Sequence, residues 1–94
     1  MDLSGNWWLY FHEAGPEDGI SMRCRFENGC ILSGGKDVGE YLTPDRAISM
    51  TIPSFTGPDG RHLSDVSFAY DSGTPDMLWT IFRGETLVLE RDAE

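Results

Sequence analysis

The sequence predicts an all-β fold: a small up-and-down antiparallel meander of about eight short strands that closes into a barrel. Three observations lead there. About eight short apolar segments, nearly all of period two, are separated by turn signals roughly every ten residues, a rhythm of meanders that form barrels or sandwiches. In Ile20-Ser21-Met22-Arg23-Cys24-Arg25-Phe26 every even residue is apolar and every odd one polar, so one face is core and the other meets water. Nearly every connection is short, and short connections join strands that lie side by side. No stretch reads as a long amphipathic helix.

The elements follow in order. Strand one spans residues 5–11 and places Trp7, Leu9 and Phe11 on one face and Trp8, Tyr10 and His12 on the other. Residues 12–19 form a loop by composition, and strand two spans residues 20–26. Cys30-Ile31-Leu32-Ser33 is strand three, ended by Gly34-Gly35, a turn that needs positive φ. A weak fourth strand spans 38–42 and closes at Thr43-Pro44-Asp45-Arg46, with proline suited to the second position of a type I turn. Strand five, 47–52, turns Ile48, Met50 and Ile52 inward. The longest connection is 53–65, with a turn cluster at 56–60. Val66, Phe68 and Tyr70 line strand six. Residues 71–76 lead into strand seven, 77–82, and Arg83-Gly84-Glu85 makes a tight hairpin into strand eight, 86–90. Any long loop has room for a one-turn helix. A barrel of such strands is shallow, about 20 Å tall, and inward Trp7, Phe11, Met22, Phe26, Met50, Phe68 and Trp79 fill it.

The chain of 94 residues makes one domain with a thin core. Its longest apolar stretch, 7–11, is far too short to span a bilayer, and no basic region followed by an apolar run and a cleavage site opens it. The expected location is the cytoplasm. Sixteen acids against seven bases leave a net charge of −9, which repels nucleic acid and anionic membrane and attracts a basic protein partner. The two cysteines share a hairpin. If Gly29 closes a three-residue turn, Cys24 faces Leu32 and the sulfurs are diagonal; a two-residue Asn28-Gly29 turn puts them on opposite faces. Neither register opposes them as a disulfide requires, so two free thiols in a reducing compartment are expected.

Ser4-Gly5-Asn6-Trp7 resembles the Gly-x-Trp opening of lipocalin-type barrels. Asn28-Gly29-Cys30-Ile31-Leu32-Ser33-Gly34-Gly35 resembles a hairpin of small lipocalin-like negative regulators of bacterial type III secretion. The resemblance covers about residues 5–42 and implies a lipocalin-like barrel, Trp7 packed across one end, and protein binding and dimerisation in place of ligand carriage. Two departures matter. The Gly-Gly is followed here by Lys36 and then Asp37, and Thr43-Pro44-Asp45-Arg46 stands where the family carries an acidic run. No partner-binding residue is carried over.

Catalytic chemistry has no clear seat. Only His12 and His62 could serve as bases, and no Gly-x-Ser-x-Gly elbow exposes a nucleophile. His12, Glu13, Glu17 and Asp18, or Asp59, His62 and Asp65, could approach a metal, but neither set has zinc-site spacing. No phosphate loop precedes a helix. Arg23 and Arg25 could hold an anion together, or balance acids across the strand. No cofactor is expected. With Trp7 inward, Trp8 and Tyr10 point outward, and closure sets strand one beside the last strand, where Val88 shares the outer alternation. Trp8, Tyr10 and Val88 are therefore the candidate interface, unless the N-terminal residues or the long loop cover them within the monomer. The expected function is a non-enzymatic, protein-binding regulator, homodimeric and bacterial. The alternative is a small hydrophobic-ligand-binding barrel, which needs a roomy interior.

Overall fold

A computed structural model describes residues 2–12, 21–56 and 62–92 of the chain. Among the described residues eight strands follow in order: β1 (Asn6–Phe11), β2 (Met22–Glu27), β3 (Cys30–Ser33), β4 (Lys36–Leu42), β5 (Ala47–Thr56), β6 (His62–Ala69), β7 (Met77–Phe82) and β8 (Glu85–Arg91). They form a single antiparallel sheet in the order β6-β5-β4-β3-β2-β1-β8-β7, which curls into a nearly closed barrel. The expected all-β meander is thus the fold, with β1 paired to β8. The seam falls between β6 and β7, which approach each other without a shared ladder. One turn of 3₁₀ helix, Tyr70–Ser72, spans its end. There the Ser72 hydroxyl lies 2.7 Å from the Ala69 carbonyl oxygen and 2.9 Å from that of Trp79, so it ties the two edges together.

Local chemistry explains the hairpins. Asn28 and Gly29 both have positive φ, 51° and 84°, as do Gly34 and Gly35 at 60° and 82°. Two-residue turns of this kind match the twist of paired strands, and glycine and asparagine are among the residues that adopt them most readily. The Asn28-Gly29 turn sets Glu27 opposite Cys30, so Cys24 is buried in the core while Cys30 is half-buried on the other face. Both thiols are free. At β4–β5 the turn lies one residue later than expected, because the Ala47 amide bonds the Pro44 carbonyl and Arg46 takes φ 58°.

The expected connection over 53–65 is largely strand. β5 extends to Thr56 and β6 begins at His62, and Ile52, Phe55 and Leu63 are all buried. The spacing from Ile52 to Phe55 breaks period two, and register shifts accommodate it. Asp65, at φ 52°, donates its amide to Thr51 Oγ1 over 3.0 Å, taking up the extra β6 residue between Leu63 and Val66. Exposed Pro53, which has no N–H to donate, sits within the irregular stretch.

Inside, Trp7, Leu9, Phe11, Ile31, Ile48, Ile52, Leu63, Phe68, Leu78, Leu87 and Leu89 are at most 2% exposed and belong to one cluster. Phe26 meets Trp7 edge-on at 6.4 Å and Tyr41 at 5.2 Å, while Phe11 stacks on Phe55 at 5.9 Å. The Arg91 guanidinium lies 4.3 Å from the Trp7 ring centroid. It donates to the Ser4 and Asp2 carbonyls, at 2.7 Å each, and to Asp76 Oδ1 at 2.8 Å. That latch holds residues 2–4 against the barrel end, where the Trp7 indole donates to the Leu3 carbonyl.

Trp79 corrects one expectation. The sequence reading places it in the interior, but Leu78 is the fully buried residue of β7 and Trp79 is 43% exposed on the outer face. The two-residue Arg83-Gly84 turn pairs Phe82 with Glu85 and so Trp79 with Val88, and directly paired residues share a face.

Candidate functional site

The outer face of β1, β8 and β7 is built in three cross-strand rows. Trp8, Glu90 and Met77 form one, Tyr10, Val88 and Trp79 the second, and Ile81 pairs with Thr86 in the third. The His12 amide bonds the Thr86 carbonyl at 2.8 Å, extending that third row to the end of β1. Tyr10, His12, Met77, Trp79, Ile81, Thr86 and Val88 line a concavity of about 520 Å³.

The expected trio sits on this face, but its exposure is not as expected. Trp8 is half-buried, between Arg23 on β2 and Glu90 on β8. Tyr10 and Val88 are only 7% and 3% exposed, yet neither joins the barrel core. Val88 is flanked across the ladder by two aromatics, Tyr10 and Trp79, and the two buried residues act as floor. The exposed apolar surface comes from β7 instead, with Trp79 at 43% and Ile81 at 68%. The alternation in β7 could not reveal this, because both of its faces are apolar. The register of the Arg83-Gly84 hairpin could have.

None of the seven residues that line the concavity is an aspartate, glutamate, lysine or arginine. The carboxylate at the rim, Glu90, accepts a 2.5 Å hydrogen bond from the Tyr10 hydroxyl. Burial first, then that bond and the charge of Glu90, push the Tyr10 phenol up to about 12.

Other candidates are less organised. Arg23 pairs with Asp92 at 2.7 Å and Arg25 with Glu27 at 3.4 Å, so each balances an acid. The Cys30 thiol is raised by the charge of Asp37 foremost, with burial, a hydrogen bond to Asp37 and Glu40 adding to it; Cys24 is pushed by burial up to about 12. Neither is an activated nucleophile, since the thiolate is the reactive form. Glu13, Glu17, Asp18 and Asp59 lie outside the described residues. Among the described residues no group of three or more histidines, cysteines and acids could hold a metal, and no helix is long and apolar enough to cross a membrane. Comparison with known proteins found no matching family model, curated protein or solved structure.

Proposed function

We propose that this chain is a non-enzymatic protein-binding regulator that recognises its partner on the outside of the barrel. One observation carries the reading. The side chains from Trp7 and Phe11 to Phe68 and Leu89 are buried in one cluster inside the barrel, which supports recognition on the exterior. That exterior belongs to a chain of net charge −9, which favours a basic protein surface, such as one that another regulator uses on nucleic acid. Binding there would occupy the basic surface and displace the nucleic acid. The chain itself then binds no DNA at moderate salt. A bacterial cytoplasm suits the free thiols.

Capture of partners by the tagged chain, at low and at high salt, tests this. A basic protein released by salt supports it, because screening weakens opposite-charge association. An acidic partner, or retention independent of salt, overturns the electrostatic reading. The second reading, binding of a small hydrophobic ligand, is favoured by the 520 Å³ outer concavity, a volume within the range of small-molecule sites.

A further inference from the structure

At the seam of the barrel we infer that the edge of β7 takes up an extended segment of a partner protein, paired antiparallel along residues 79–81 as an added strand. This rests on the protein-binding reading above and gives it a site and a mode of recognition.

Backbone register fixes what the edge offers. Phe82 and Glu85 close a two-residue hairpin, and the Arg91 amide bonds the Asp76 carbonyl at 2.7 Å. The pairs that exchange both backbone bonds are therefore Leu78 with Leu89, Thr80 with Leu87 and Phe82 with Glu85, and the peptide groups of Met77, Trp79 and Ile81 turn away from β8 into the seam. Met77 is satisfied there, its amide 3.2 Å from the Thr74 carbonyl and its carbonyl 2.8 Å from the Thr74 amide. The Trp79 carbonyl accepts from the Ser72 hydroxyl. The Trp79 amide and both backbone groups of Ile81 face β6, with no ladder between the strands. Groups of this kind select a backbone, because an extended chain supplies an N–H and a C=O at every second residue, the spacing at which β7 presents its own.

The two edges of the seam are not alike. Sheet edges that stay unpaired are blunted by bulges, charges or proline, and β6 has register shifts and the positive-φ Asp65. β7, Met-Leu-Trp-Thr-Ile-Phe, has none of these devices and holds register with β8 from Met77 to Phe82. It leaves Trp79 and Ile81 43% and 68% exposed. Side chains directly opposite them on an added strand share their face, so the segment carries apolar residues at those two positions. β6 flanks the other side of the seam. A strand backed by its own folded sheet would have to displace β6, whereas a single segment needs only about 4.8 Å to each neighbour. The Ser72 hydroxyl, with one hydrogen for the Ala69 and Trp79 carbonyls, is a polar tie that the segment replaces.

Amide hydrogen exchange of the isotope-labelled chain, followed by NMR, tests this with a short synthetic peptide of alternating valine and threonine and a lysine at each end. Paired with its valines opposite Trp79 and Ile81, the peptide turns its valine amides to β7 and its threonine amides to β6. The Ile81 amide should slow roughly tenfold or more at saturating peptide, the worth of about one backbone bond. Methylating the valine amides should abolish the effect, and methylating the threonine amides should leave it. Ile81→Pro removes an N–H that β8 does not use, a change an edge strand tolerates. A thermal melt establishes that it folds, and it should lose the basic partner that the wild type captures; the methylated peptides carry the test if it does not fold. No slowing with excess peptide, or equal slowing by the valine-methylated peptide, overturns the inference. Slowing that grows with chain concentration in the absence of peptide assigns the edge to a second copy and overturns it too. If folded Ile81→Pro captures a salt-released basic protein as the wild type does, the seam is not the site and the protein-binding reading stands. Peptide binding without capture of any basic protein leaves the seam standing and removes the basic partner.

Discussion

The Tyr10 hydroxyl donates a 2.5 Å hydrogen bond to Glu90 Oε1 across the β1–β8 ladder, on the outside of the barrel. Both partners lie on the outer face, so the bond gives the Glu90 carboxylate a donor there. It also raises the phenol, which reaches about 12 with burial as the largest cause. An unfolded tyrosine ionises near 10, so between those values the folded state holds the proton and the unfolded state releases it. Stability from this group is complete below about pH 10 and declines as pH climbs towards 12. Cys24, raised from 9 to about 12 by burial, acts in the same direction from about pH 9 upward. Ultraviolet titration of the folded chain should show one phenol ionising near pH 12, and Tyr10→Phe should abolish that step.

Gly39 leaves no room for a side chain. A Cβ there would lie 2.2 Å from the Thr51 carbonyl oxygen, a backbone atom. Gly39→Ala should destabilise the barrel by about 1–3 kcal/mol, the usual cost of overpacking. At roughly 4–8 °C per kcal/mol for a domain this size, a melting curve should show the loss clearly.

Arg91 is the latch over Trp7, with its guanidinium 4.3 Å from the ring and bonded to the Asp2 and Ser4 carbonyls. Arg91→Met keeps a comparable apolar stem but removes the donors, and should cost about 1–3 kcal/mol. Acrylamide should then quench an additional tryptophan, because Trp7, fully buried in the wild type, loses the residues held across it.

The two thiols should differ in the native state. Cys30 is half-buried and Cys24 is 1% exposed, so a thiol reagent should label Cys30 slowly and Cys24 only after unfolding. Denaturing, non-reducing conditions should yield two labelled thiols. Fewer than two would contradict the free-thiol assignment.

How much of this was legible in the sequence depended on whether a strand had one apolar face or two. β2, with Met22, Cys24 and Phe26 alternating against Arg23, Arg25 and Glu27, faces inward as its alternation dictates. The β1–β8 contact followed from the expected closure of the barrel. β7 is Met-Leu-Trp-Thr-Ile-Phe, apolar at both parities, so alternation alone left the direction of Trp79 open and only the hairpin register resolves it. The paired stretch over 53–65 was hidden for another reason. Its strands reach Phe55 and Leu63 through irregular register and a positive-φ Asp65, which period-two patterns do not encode. The candidate face was located through Trp8, Tyr10 and Val88, but its exposed residues are Trp79 and Ile81, because exposure depends on neighbours that direction alone does not specify.

Titration with a lipophilic dye that fluoresces in apolar cavities tests the central claim most directly, that recognition is on the outside of a filled barrel. Wild type and Ile81→Glu should both lack saturable one-to-one binding at micromolar dye if the buried cluster of side chains occupies the interior. Tight, saturable binding that persists in Ile81→Glu would place a ligand within the barrel and contradict the account.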